Sequence, residues 1–200
     1  MTRQSHTIVN VGYRSTNYWV ISAGTARLLV DIGWPGTLGT MKANLKRMGI
    51  PLSELRYALA THYHIDHAGL AEELKREGVT LLVVDLQEAA IPLMKRWTKP
   101  ADQYVDITDH GNLVITCAQS RPLLAQMGIG GEIVHTPGHT DHCVSLLLDD
   151  GSVFTGDLPL PGYAFDDPVV IASWQCLQAK GAHLVYPAHG PIRQLSELID

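Results

Sequence analysis

The sequence predicts a layered α+β or αββα arrangement of strands and helices. Three observations predict it. Short β-branched and aromatic runs fall into two groups, helical periodicity follows each group, and strand and helix do not alternate one for one as in a doubly wound parallel sheet. The chain has 200 residues, 46% apolar and 18% charged, which fits one domain over residues 1–200. A domain of this size buries roughly 70% of its unfolded surface, so it needs neither disulfides nor a structural metal to hold together.

In the first group, Thr7 to Val11, Asn17 to Ile21 and Arg27 to Ile32 read as strands separated by Arg14-Ser15-Thr16 and Ala23-Gly24-Thr25, an antiparallel meander. Leu38, Met41, Leu45 and Met48 recur at helical spacing, and Gly49 with Pro51 ends that helix. A strand over Tyr57 to Thr61 leads into a histidine-rich turn, and a helix over Ala68 to Glu77 closes on Gly78. Thr80 to Val84 reads as a buried strand and Leu86 to Trp97 as a helix, while Lys99 to Asn112 is charged and irregular, a long surface loop or flap. The second group comprises Leu113 to Thr116, Gly131 to His135, Cys143 to Leu148 and Ser152 to Thr155, the last two joined by the hairpin turn Asp149-Asp150-Gly151. A helix over Val169 to Lys180, a strand over His183 to Tyr186 and a turn over Gln194 to Ile199 follow.

Charge and cysteine content exclude several classes of function. With 15 basic and 20 acidic side chains and a net charge of −5, the chain lacks the basic surface that phosphate-backbone binding requires, so nucleic acid is not an expected partner. No apolar run approaches the roughly 18 residues that span a bilayer, and Met1 to Asn10 has no signal-peptide core, so no membrane partner is expected. Cys117, Cys143 and Cys176 are odd in number and form no CxxC pair, which fits a reducing cytoplasm.

The chemistry concentrates in Thr61-His62-Tyr63-His64-Ile65-Asp66-His67-Ala68-Gly69, where four metal-competent side chains fall within six positions. In an extended turn His62 and His64 point to the same side, and Asp66 and His67 come round as a helix begins, so one segment can serve two neighbouring metals. Three further ligand types stand at strand ends beside Gly or Pro: His139 in Thr136-Pro137-Gly138-His139-Thr140, Asp157 in Thr155-Gly156-Asp157, and His189 in Pro187-Ala188-His189-Gly190. Singly, each reads more readily as a turn residue; with the cluster they complete seven ligands. A set with carboxylates and no Cys differs from a closed structural zinc site.

His62-x-His64-x-Asp66-His67 followed by His139, Asp157 and His189 resembles the metallo-β-lactamase superfamily, and the TPGHT and TGD contexts resemble its glyoxalase II-like hydrolases. The resemblance extends back to Asp31, which matches a structural acid of the family. It implies a four-layer αββα sandwich with His62, His64 and His139 on one divalent metal, Asp66, His67 and His189 on a second, and Asp157 bridging. Zinc is the first expectation, with iron or manganese as alternatives. A hydroxide between the metals would attack a small ester, thioester or lactone, and Asp66 would orient it and shuttle its proton. Tyr163, on the loop after Asp157, is the second candidate catalytic residue, as a hydrogen-bond donor to substrate or else an aromatic wall.

Other residues are discounted: His135 and His142 as supporting rather than ligating, Cys143 and Cys176 as small core residues, and Trp34 as a pocket wall with core packing favoured. The sequence stops eleven residues beyond His189, without the helical domain that binds glutathione in true glyoxalase II enzymes, so a glutathione thioester is not the expected substrate. The alternative reading is a persulfide dioxygenase-like enzyme with a single iron on His62, His139 and Asp157. The expected partner is a small-molecule substrate; the oligomeric state is not encoded in any recognisable motif.

Overall fold

In the computed structural model, which describes residues 6–24, 26–163 and 166–198 with the side chain of Tyr163 outside that description, successive residues of a strand enter different cores. In β3 (Ala26–Val30), Leu28 and Val30 enter the core between the sheets, whereas Leu29 enters the core beneath the outer helices. In β5 (Thr80–Val84), Leu82 and Val84 face inward and Leu81 and Val83 outward. Alternation that puts apolar side chains on both faces explains why these strands read as continuous apolar runs, since both faces are covered.

The first sheet runs β1-β2-β3-β4-β5-β6. The expected antiparallel meander is β1 (Thr7–Asn10), β2 (Trp19–Ala23) and β3. From there β4 (Leu55–Leu59), β5 and β6 (Asn112–Ile115) pair in parallel, because helical crossovers return the chain to the same edge each time. Those crossovers are α1 (Leu38–Arg47), the short helices α2 (Ile65–Ala68) and α3 (Ala71–Arg76), and a run of 3-10 turns over Asp85–Trp97. The second sheet, ordered β11-β10-β9-β8-β7, contains β7 (Gly131–His135), β8 (Val144–Leu148), β9 (Ser152–Gly156), β10 (Leu184–Pro187) and β11 (Arg193–Gln194). Its outer face is covered by α5 (Pro168–Ala179), whose Val170, Trp174 and Leu177 pack on Leu147, Val153 and Val185. The layers are therefore helix, sheet, sheet, helix.

The structure corrects several element expectations. The helix expected over Ala68 to Glu77 is two pieces broken at Gly69 and Leu70, because the chain must first turn at α2 to present Asp66 and His67. Leu86 to Trp97 winds as 3-10 turns rather than an α-helix, with Pro92 inside removing a backbone donor. A helix that sequence reasoning missed, α4 (Cys117–Gln126), starts at a capping box between Thr116 and Gln119 and tolerates Pro122 in its interior. Among the described residues, no helix is long and apolar enough to cross a membrane.

Candidate metal centre

The centre forms where both sheets end on one side of the sandwich. Asp31 follows β3 in a left-handed conformation (φ 59°), and its Oδ1 accepts hydrogen bonds from the Thr61 backbone N–H at 2.9 Å and the Thr61 hydroxyl at 2.8 Å. This fixes the exit of β4, so His62 is directed inward and buried and the chain turns into α2. The other Asp31 oxygen stands 3.1 Å from His67 Nδ1, leaving His67 Nε2 to face the centre. Buried Gln87 braces the same exit by donating to the carbonyls of Ala60, Thr61 and His142.

The second sheet comes up to the same point. Val144 N–H donates to the Thr61 carbonyl at 2.9 Å. Gly156 closes β9 at φ 56°, and a Cβ there would lie 2.2 Å from Thr61 Oγ1, so only glycine lets the two sheets meet this closely. Asp157 follows immediately. Its Oδ2 lies 3.3 Å from His67 Nε2, 3.6 Å from His139 Nε2 and 3.9 Å from His62 Nε2, and its Oδ1 lies 3.3 Å from His189 Nε2. His139 Nε2 faces His64 Nδ1 at 3.0 Å. His189 Nε2 approaches Asp66 Oδ2 at 3.3 Å, while its Nδ1–H donates to the Ser15 carbonyl at 2.6 Å.

All seven sequence-predicted metal residues are thus brought together. Their ligand atoms form three overlapping trios, each within 4.8 Å: His62, His64 and His139; His62, His67 and Asp157; and Asp66, His67 and His189. His62 Nε2, His67 Nε2 and Asp157 Oδ1 are buried without a hydrogen-bond partner. Leaving such groups unsatisfied costs on the order of 1–3 kcal/mol each, so this donor set fits divalent cations better than it fits itself.

Electrostatics divide the cluster. Burial, reinforced by neighbouring imidazoles, holds His62 well below its ordinary pKa, and burial together with His139 lowers His64. Burial also works against charge on His67, but Asp31 and Asp157 outweigh it and raise the imidazole well above its usual value. The hydrogen bond to Asp66 pushes His189 up to about 9. Burial would raise Asp66, but the bond to His189 outweighs it and brings the carboxyl down to about 2.

A groove of about 240 Å³ opens over the cluster between His139, Asp157, Leu158, Leu160, Pro187 and His189. Tyr163 belongs to a 3-10 turn, Pro161–Tyr163, that follows this groove wall; its side chain lies outside the described residues. The discounted residues have other roles. His135 Nε2 contacts the Asp141 carbonyl at 2.7 Å, and His142 Nε2 accepts from Tyr63 N–H at 3.4 Å. Cys143 is buried, Cys176 is a partly buried residue of α5 packed against the core under that helix, and Trp34 packs on the outer core with the Arg14 guanidinium 5.2 Å above its ring. Sequence reasoning missed Gln87, Thr61, Ser15 and Thr16; the last donates its hydroxyl to Asp66 Oδ2 at 3.1 Å.

With that geometry established, comparison with known proteins is specific: residues 11–192 match the family model described as Metallo-beta-lactamase superfamily. The chain belongs to the metallo-β-lactamase superfamily. Among curated relatives, it is 27% identical over 183 residues to a beta-lactamase-like protein 2 homolog from Caenorhabditis elegans, covering 90% of this chain and 57% of the relative. It is 29% identical over 195 residues to an atrochrysone carboxyl ACP thioesterase from Aspergillus fumigatus, covering 94% of this chain and 40% of that protein. The chain therefore spans about half the length of the curated relatives it matches. The FEZ-1 metallo-beta-lactamase from Legionella gormanii superposes with a TM-score of 0.70 at 20% identity, covering 94% of this chain and 78% of that one, a likeness of fold. The four-layer sandwich expected from the sequence is the fold of this superfamily.

Proposed function

We propose that the protein is a metal-dependent hydrolase of the glyoxalase II-like kind, cleaving a small ester, thioester or lactone at a two-metal centre. The observation that carries this reading is the pair of complete trios joined through Asp157. His62, His64 and His139 would hold one ion and Asp66, His67 and His189 the other, with Asp157 shared; zinc suits the imidazole-rich set, and iron or manganese are alternatives. Bound divalent ions would supply the Lewis acidity that activates water and polarises a carbonyl.

The chain's own residues account for the rest. Asp66 stays ionised at neutral pH, held by Thr16 and His189, and can take a proton from the attacking water and pass it to the leaving oxygen or sulfur. Leu158, Pro159 and Leu160 form an apolar wall on which an acyl group can rest out of water. Tyr163, carried on the following turn, would donate its hydroxyl to the substrate carbonyl. The thioesterase named among the relatives supports a thioester as one of the substrate classes. A small-molecule substrate processed in the cytoplasm, without nucleic acid or membrane as partner, completes the reading.

Elemental analysis of protein purified without added metal, followed by a chromogenic ester, thioester and lactone screen, tests it. About two ions per chain and hydrolysis abolished by chelation are expected. One iron per chain with oxygen uptake on persulfides would replace this reading with the dioxygenase-like one.

A further inference from the structure

The short connection between β1 and β2 contributes none of the seven chelating side chains, yet it touches only one half of the centre, and touches it three times. The Ser15 carbonyl takes the Nδ1–H of His189 at 2.6 Å, which leaves Nε2 of that ring facing Asp66 and Asp157. The Thr16 hydroxyl, in a residue only 2% exposed, donates to Asp66 Oδ2 at 3.1 Å. Asn17 grips the backbone on both sides of His189: its side-chain N–H groups donate to the Pro187 carbonyl at 3.0 Å and the Gly190 carbonyl at 2.9 Å, and its backbone N–H donates to the Ala188 carbonyl at 2.7 Å.

The grip is itself held. Asn17 Oδ1 accepts from the Asn10 side chain at 2.8 Å, and Asn10 Oδ1 accepts from Gly12 N–H at 2.7 Å. Both N–H donors and the oxygen of the Asn17 amide group are thereby engaged, so this side chain cannot turn without breaking a bond. Gly12 makes the fold-back possible, because a Cβ there would come within 2.5 Å of the Thr16 carbonyl and 2.8 Å of the Asn17 Cα. Among the described residues, no hydrogen bond from residues 10–17 reaches His62, His64 or His139.

We infer that the Asn10–Asn17 connection is a positioning device for the second half of the centre alone, setting how tightly the Asp66, His67 and His189 trio holds its ion relative to the His62, His64 and His139 trio. The reason is geometric. His189 sits on a loop whose approach to Asp66 is determined by Asn17, its ring rotation is determined by Ser15, and the Asp66 carboxylate is oriented by Thr16. Supporting contacts of this kind typically change metal affinity by roughly 10–100-fold when removed. Gln87 and Asp31 brace the exit of β4, from which both trios take ligands, so the contacts made by this connection are what set the second trio apart from the first. The inference rests on the two-ion reading above.

The test is stepwise cobalt(II) titration of the metal-free protein, read by absorbance and calorimetry, on the unaltered chain and on Thr16→Val and Asn17→Asp. Both substitutions keep side-chain shape: the first removes the donor to Asp66, and the second replaces donors to two carbonyls by an acceptor. The expected result is two binding steps in the unaltered protein, with one step lowered by about 10-fold or more in each variant and the other changed less than about 2-fold. Thr16→Ser, which keeps the hydroxyl, should restore that step. It also provides the folded comparison if Thr16→Val does not fold. Equal weakening of both steps, or two unaltered steps in folded variants, would overturn the inference while leaving the two-ion reading intact. A single step in the unaltered protein would remove the two-ion reading and this inference with it.

Discussion

The two halves of the centre share one turn of chain yet have opposite electrostatic character. One half is three imidazoles, His62, His64 and His139, and burial keeps His62 and His64 below their ordinary pKa. The other contains Asp66, has Asp31 behind His67, and keeps His67 and His189 above theirs. Without metal, His62 and His64 are poised as neutral ligands, whereas His67 and His189 are held protonated by the carboxylates beside them. The difference teaches that ligand identity alone does not set affinity: an ion entering the second half must displace protons that an ion entering the first half does not meet.

The substitution with the largest expected effect erases the comparison. Asp157 approaches ligands of both halves, so Asp157→Ala should lower metal content at both and reduce hydrolysis by at least roughly 10³-fold, toward the upper range for a lost catalytic group. Elemental analysis showing two ions retained would remove Asp157 as the bridge. Asp66→Asn comes next, with turnover falling at least roughly 10²-fold while the imidazole half keeps its ion. Near-normal steady-state turnover would take Asp66 out of the mechanism.

A finer cut is Asp31→Asn, which preserves shape and removes the charge 3.1 Å from His67. Metal affinity in the second half should drop by about 10–100-fold, and competition with a chromophoric chelator would reveal whether the loss spreads to the first half instead. The smallest effect is in pH. His189 rises from 6.5 to about 9 in the metal-free protein, so its contribution to stability is complete below pH 6.5 and fades as pH climbs through about 9. Asp66, brought from 3.8 to about 2, contributes above its ordinary value and loses that contribution as pH falls through about 2. Second-half affinity should accordingly rise between pH 6.5 and 9 while first-half affinity stays nearly level; calorimetry in two buffers of different ionisation enthalpy would expose parallel slopes if the contrast is mistaken.

Much of this centre is legible in the sequence because four of its seven ligands lie on one turn, and the local periodicities of strand and helix dictate which way they point. His139, Asp157 and His189 are weak signals alone, and their division into trios comes from resemblance rather than from spacing. What supports the ligands is illegible for a physical reason. Ser15 acts through a backbone carbonyl, which every residue carries, and its partner His189 is distant in sequence. Thr16 and Gln87 act through single hydrogen bonds that leave no periodic trace. The same holds for the fold: strand positions follow from alternation, but the parallel pairing of β3 through β6 depends on crossover geometry, and α4 hides behind Pro122.

The closure of Gly156 against Thr61 has a consequence for how the molecule is assembled. His62, His64, Asp66 and His67 come from the N-terminal sheet, and His139, Asp157 and His189 from the C-terminal one, so each trio draws on both. A bound ion is therefore a rivet through a seam, and the two sheets are halves of a clasp. A nick in the connection at Met127–Gly130 would leave two fragments, each carrying an incomplete set of chelators and one face of the shared interior. Such fragments have reason to find each other again, and metal would decide how firmly they stay joined.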